Sequence, residues 1–347
     1  MKQSKYFFGI IKNHSPRKLG SIKDKKLGRV YSIPYRDIRG VVGHYPDSRF
    51  DWGTREEVAK KLVRHQTIIE KVMKDFAIIP IKFGTLLGDE EEVKKVLQKG
   101  YKEFKESLEK FKKKIELDLA VSWEDFNSEV KKVVNENEKI RRFKEEIAEK
   151  QKTKDVFQEK VKIGSLIKEV MDQKKQALQE EITGFISQKI KVEDRKEHEL
   201  MNDNMILNCA FLLDRDEEEA FEKVLNELNT RYKDSLKFRC VGPLPLYSFS
   251  TFQIDRINFE QIDHARKLLK LPEEFTAEDV RKAYRCLVKD KHPDKGTRTH
   301  EAQKGFEEIQ RAYRLMMDYC GDEKRSLQNE NFQDDFSISV FDTRDIS

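Results

Sequence analysis

The sequence predicts an α+β protein: a small α/β N-terminal domain, a long helical hairpin, a second small α/β unit and then an all-α helical bundle. Three observations carry that expectation. Short apolar runs of strand type alternate with amphipathic helical stretches on both sides of residues 124–203. Those residues themselves run for dozens of positions at helical period, with no proline and no glycine until Gly164. Near the C-terminus, two further helical stretches flank a loop that contains Pro293, a residue that ends a helix.

The first domain is read as residues 1–123. YFFGII at 6–11 and DIRGVVGHY at 37–45 are strand candidates. From Thr54, Val58, Leu62, His65, Ile69 and Val72 fall at spacings of three and four, which makes a helix. AIIPIKFGT gives another strand, and Asp89 caps a helix whose apolar positions are Val93, Leu97, Phe104, Leu108 and Phe111. Ile115, Leu117, Leu119 and Val121 then alternate with Glu116 and Asp118, which are expected to face water. Helices on one face of such a sheet give a ferredoxin-like domain.

Residues 124–203 change character. Between 131 and 162, 18 of 32 residues are charged, and a second run follows with Leu166, Ile167, Val170, Leu178 and Ile182 apolar. Two long helices packed as a hairpin are expected, the mixed charges forming a solvated face. Residues 204–255 read as strand, helix, strand. MILNCAFLL is a buried strand, and Asp214 or Asp216 caps a helix with Phe221, Val224, Leu225, Leu228 and Tyr232 in one stripe. Leu236, Phe238 and Cys240 alternate and lead into GPLPLYSFS, where Gly242, Pro243 and Pro245 make a rigid turn. That turn either closes the sheet edge or presents Tyr247 and Phe249 to a partner.

Residues 261–320 form the bundle. Ala265, Leu268 and Leu269 offer a short helix, and Thr276 with Asp279 matches a capping box. Val280, Ala283, Tyr284, Leu287 and Val288 make the buried stripe of the next helix, while Arg281, Arg285 and Lys289 repeat every four residues as an exposed basic ridge. Phe306, Ile309, Tyr313 and Met316 supply the partner helix. Residues 321–347 hold seven acids against three bases without a stable period and read as a flexible acidic tail.

Composition excludes several functions. Charged residues make up 38% and hydrophobic ones 37%, with 69 bases against 64 acids, a surface too evenly mixed for nucleic-acid binding. No apolar run is long enough for a bilayer, and the N-terminus lacks a secretion signal, so a cytoplasmic protein that binds no membrane is expected. Cys209, Cys240, Cys286 and Cys320 form no CxxC pair, which favours reduced thiols. His65 lies on an apolar helix face and reads as a core histidine ahead of a ligand or base. His198 between Glu197 and Glu199 has no second histidine at i+4, so no metal is expected. Gly84 in KFGTLLG lacks the Gly-Lys-Ser/Thr ending of a phosphate loop, and no nucleophile elbow appears. No cofactor and no catalytic residue is expected, and the chain is read as having no enzymatic activity of its own.

ARKLLKLPEEFTAEDVRKAYRCLVKDKHPDKG and FEEIQRAYRLMMD together resemble the J-domain, through which DnaJ-type proteins engage DnaK-type chaperones. The resemblance implies that His292, Pro293 and Asp294 contact the chaperone, with Arg281, Arg285 and Lys289 guiding its approach. This chain has Lys291 where the family commonly has an aromatic residue, and Asp290 where it often has a basic one.

Residues 1 to about 255 resemble the gas vesicle protein family GvpL/GvpF, through YFFGII, RHQTIIEKVMKDFAIIPIKFGTLL, IELDLAVSWE, VKIGSLIKEVM and VGPLPLYSFS. The Leu244 to Leu246 portion departs from the family, which often has an aromatic and a second proline there. The resemblance implies partners among gas vesicle proteins, above all the very hydrophobic shell subunit, and a location on gas vesicles. Joined in one chain, the two resemblances imply an assembly protein that binds the shell subunit and recruits a DnaK-type chaperone. Two rivals are a general J-domain co-chaperone for unrelated clients and a structural gas vesicle component with an inactive J-like bundle.

Overall fold

β1 (Ser4–Lys12) is buried along almost its whole length, so it needs a strand on each edge. The computed structural model, which describes residues 4–12, 23–24, 28–150, 157–291, 300–320, 325–326 and 335–340, supplies them. After the short pair β2 (Lys23–Asp24) and β3 (Gly28–Arg29) come β4 (Tyr31–Tyr35) and β5 (Ile38–Tyr45). β5 pairs antiparallel with β1 and with β4. Helix α1 (Arg55–Met73) starts at a Thr54/Glu57 capping box. β6 (Ile78–Pro80) and β7 (Leu86–Leu87) then share the other edge of β1.

Asp89 caps α2 (Glu90–Lys99) by accepting from Glu92 N at 3.0 Å, as its position implies. The single helix expected there is two, α2 and α3 (Tyr101–Lys110), with Gly100 between them. A Cβ at Gly100 would meet the Phe104 ring at 2.5 Å, so only glycine lets the chain pass that ring.

The chain divides into two compact units, Met1–Lys110 with Ser250–Ser347, and Phe111–Phe249. The boundary near 110 moves β8 (Lys114–Trp123), which the alternation suggested would close the first domain. It belongs to the second unit because its apolar face, Ile115, Leu117, Leu119, Val121 and Trp123, is covered by residues of that unit alone. In place of the expected pair of long helices come α4 (Phe126–Glu136), α5 (Glu138–Lys150) and α6 (Phe157–Lys189). Asn137 breaks the first run and caps the second, accepting from Ile140 N at 3.1 Å.

β9 (Val192–Glu197), β10 (Met205–Asp214), α7 (Glu218–Arg231) and β11 (Leu236–Leu244) complete this unit. Its sheet runs β11-β8-β10-β9, all antiparallel. The path strand, helices, strand, strand, helix, strand is the ferredoxin-like order, found here and not in the N-terminal domain. Neither Asp214 nor Asp216 caps α7: residues Arg215–Glu217 form a 3-10 turn, and Asp214 pairs with Lys114 at 3.2 Å.

Back in the first unit come β12 (Phe252–Ile257), α8 (Phe259–Leu268), β13 (Glu274–Phe275), α9 (Ala277–Lys291) and α10 (His300–Cys320). β14 (Arg325–Ser326) pairs with β13, and β15 (Asp335–Val340) with β12. The tail read as flexible therefore contains two paired strands, because Phe336 and Ile338 give β15 an apolar side that a charge count conceals.

At the centre of the second unit, Phe211 meets Phe221 edge to face with centroids 5.4 Å apart, both fully buried. Phe211→Ala is predicted to destabilise this unit by about 3–5 kcal/mol. Denaturant unfolding followed by Trp123 fluorescence in a Trp52→Phe background measures it; a loss near zero would contradict the packing described.

Candidate functional site

The bundle is built around α9. Its first turn closes as a capping box: Thr276 N and Oγ1 both donate to Asp279 Oδ2, at 2.9 and 2.7 Å, and Asp279 N donates to Thr276 Oγ1 at 3.2 Å. Val280 is fully buried, and Ala283, Tyr284 and Leu287 pack beside it against α8 and α10. The Tyr284 and Tyr313 rings stack at 4.2 Å. Ile262 and Ala265 of α8 and Leu269 just after it face the same core, and α10 contributes Ile309, Ala312, Met316 and Tyr319.

That packing fixes the rotation of α9 and puts Arg281 and Arg285 in solvent, one turn apart on one face. Among the described residues no acidic side chain pairs with either guanidinium, whereas the neighbouring Lys282 is held by Glu278 at 3.1 Å. Two like charges at i, i+4 repel by roughly 0.3 kcal/mol. An acidic partner surface relieves that repulsion and speeds encounter. Lys289 follows one turn on in α9. Its side chain lies outside the described residues, as do His292, Pro293 and Asp294. They fall in the segment joining α9 to α10, at the C-terminal end of the basic ridge.

A second cluster, in the Phe111–Phe249 unit, was not foreseen. Glu116 is only 1% exposed instead of facing water, because the segment after β11 folds across that face of β8. Ser248 N and Oγ donate to Glu116 at 2.9 and 2.8 Å, and His198 Nε2 lies 3.3 Å from Ser248 Oγ. Gly242 and Pro243 lie within β11 at a register shift and not in a turn of their own; the segment after Leu244 covers the sheet's outer face, and Tyr247 and Phe249 are half-buried there. Burial first, then the neighbouring Asp118 charge, pushes the Glu116 carboxyl up; burial also raises Asp118. The Ser248 hydroxyl hydrogen points to Glu116, so the Ser–His contact is not that of an activated nucleophile.

His65 is buried in an aromatic nest, its Nδ1 3.1 Å from Tyr6 Oη, and burial pushes its pKa down to about 3. It is neutral and packed, as a core histidine. Among the described residues no group of three or more His, Cys, Asp or Glu is placed to hold a metal, and no helix is long and apolar enough to cross a membrane.

Because Glu116 keeps its proton when folded up to about pH 8, while an unfolded glutamate loses it near the ordinary carboxylate range, proton binding favours the folded state in between. Stability of this unit is predicted to fall as pH rises from 5 to 8. Glu116→Gln is predicted to reduce that slope, Asp118 retaining a part of it, read by Trp123 fluorescence at the two pH values; an equal slope in the variant would contradict the assignment.

The model of "Gas vesicle synthesis protein GvpL/GvpF" matches residues 4–251, and that of the "DnaJ domain" matches residues 265–327. Gas vesicle protein F of Microcystis aeruginosa is 23% identical over 192 residues, 54% of this chain and 76% of that protein. Its counterpart in a Streptomyces species is 23% identical over 257 residues, 71% of this chain and 99% of that one. Chaperone protein DnaJ of Caldicellulosiruptor bescii is 36% identical over 78 residues, which span 22% of this chain and only 18% of the chaperone. The crystal structure of GvpF from Anabaena sp. PCC7120 superposes with a TM-score of 0.58 at 20% identity, over 71% of this chain and 98% of that one, a likeness of fold.

Proposed function

Because this chain belongs to the gas vesicle synthesis protein family GvpL/GvpF and carries a DnaJ domain behind it, we propose that it binds the hydrophobic shell subunit of gas vesicles and recruits a DnaK-type chaperone to it. Gas vesicle association and a J-domain co-chaperone role are the common ground of the matches. The finer reading is supported by one observation: Arg281 and Arg285 are exposed on α9 with no acidic partner among the described residues, on the helix that precedes His292, Pro293 and Asp294 in the sequence.

The physical logic is direct. A small subunit with a large apolar surface aggregates unless held until it joins a wall. A factor that grips it while docking a chaperone raises the chaperone's effective concentration at that client, to the millimolar range for short linkages. The basic ridge attracts an acidic chaperone groove and raises the on-rate at low salt. Asp294 then offers a carboxylate for a chaperone arginine, and Pro293 limits the conformations open to that loop. ATP hydrolysis belongs to the chaperone in this reading, and the chain acts in the cytoplasm, on gas vesicles.

Single-turnover ATP hydrolysis by a DnaK-type chaperone tests it. The intact protein is predicted to accelerate hydrolysis, Asp294→Asn to abolish the acceleration, and the Arg281→Glu/Arg285→Glu double variant to reduce it at least about tenfold at low salt, less at high salt. Acceleration that survives all these changes would leave His292-Pro293-Asp294 as a turn and nothing more.

A further inference from the structure

The helical bundle is not appended to the N-terminal domain by a bare linker. β12 enters the core of the N-terminal domain at one end and the core of the bundle at the other. Phe252, 2% exposed, meets the Phe104 ring edge to face with centroids 4.9 Å apart, and its carbonyl accepts from Lys82 N at 2.8 Å. Five residues on, Ile257 is buried among Ile262, Leu269 and Val280 of the bundle.

β15 lies along the whole of β12, from Phe252 opposite Val340 to Ile257 opposite Asp335. Its side chains hold both neighbours. Asp335 pairs with Lys99 of α2 at 2.7 Å, and Ile338 packs at the Gly100 break between α2 and α3. Ser337 Oγ donates to Asp318 of α10 at 2.6 Å. Phe336 is buried beneath the Arg256 guanidinium, which reaches Glu92 of α2 at 2.5 Å. Neither strand falls within the matched spans, which cover 4–251 and 265–327. The ribbon belongs to the junction.

We infer that β15 is a strap: by completing the β12 ribbon it fixes the orientation of the bundle on the N-terminal domain. The chaperone-docking face of α9 is then presented in one direction. This last step rests on the function proposed above, whereas the strap itself does not. An isolated two-stranded ribbon is marginal in water, so β12 without β15 is a poor tether. The bundle core draws mainly on α8, α9 and α10, with Ile257 of β12 and Phe275 of β13 added, and no residue of β15 belongs to it, so its helices are expected to survive loss of the strap.

The test is a distance measurement between spin labels on exposed Cys286 of α9 and on Ala59→Cys of α1, in a Cys240→Ser background. The full chain is expected to give one narrow distance. Deletion of residues 335–347, and independently Phe336→Asp, is expected to broaden it while helical circular dichroism is retained. A distribution equally narrow without the strap, or already broad in the full chain, overturns the inference. ATPase stimulation measured on the same full chain and variants without spin labels separates the two readings. Its absence in the full chain removes the chaperone reading, and the distances still decide the strap.

Discussion

Burial of Val280 between α8 and α10, with Tyr284 stacked on Tyr313, leaves α9 one way to turn. The rest of the C-terminal domain depends on that rotation. Turned otherwise, the helix would drive Arg281 and Arg285 toward an apolar core, where an unpaired guanidinium costs several kcal/mol. The capping box of Thr276 and Asp279 anchors the start of the same helix, so its far end, where the joining segment begins, is aimed by packing at its base. The basic ridge is therefore a consequence of the apolar stripe beside it.

Much of this was legible in the sequence because helix signals are local. Thr54, Asp89 and Thr276 cap helices as their spacing implies, and the stripe of α7 buries Phe221, Val224, Leu225 and Leu228. Helix α1 buries His65, Ile69 and Val72 but leaves Leu62 exposed, and of the α9 stripe Val280 is buried and the rest half-buried. What was not legible is long-range. IELDLAV reads as an amphipathic strand, but which sheet it joins depends on a partner, β10, that lies some ninety residues later. Glu116 was assigned to water for the same reason: alternation says that a residue faces away from one core, and nothing about Ser248 arriving from residue 248 to cover it. Breaks at Gly100 and Asn137 were missed because apolar periodicity continues across both. The pairing of β15 escaped a reading by net charge, since Phe336 and Ile338 sit among acids.

The two modules differ in what they ask of physics. In the Phe111–Phe249 unit, a ferredoxin-like sheet is covered by α4 to α7 on one face and by its own proline-rich segment on the other, which leaves a carboxyl group buried and proton-bound. In the other unit, a sheet centred on β1 and a three-helix bundle share the β12–β15 ribbon. Under the function proposed above, joining a gas vesicle family module to a J-domain bundle in one chain would make the second binding event intramolecular. Its benefit depends on geometry as much as on affinity. A client with a large apolar surface gives such a linkage its use, because aggregation is concentration-dependent and fast while hand-over to a wall is slow.

The account's central claim is that one chain couples a shell subunit to an ATP-driven chaperone. Light scattering by purified shell subunit, diluted from denaturant with the chaperone, ATP and this protein, addresses it most directly. The account predicts that scattering is suppressed by the intact protein only when ATP is present, and that the Asp294→Asn form suppresses no more than it does without ATP. Equal suppression by both forms, with or without ATP, would contradict it and leave a holding protein with no chaperone link.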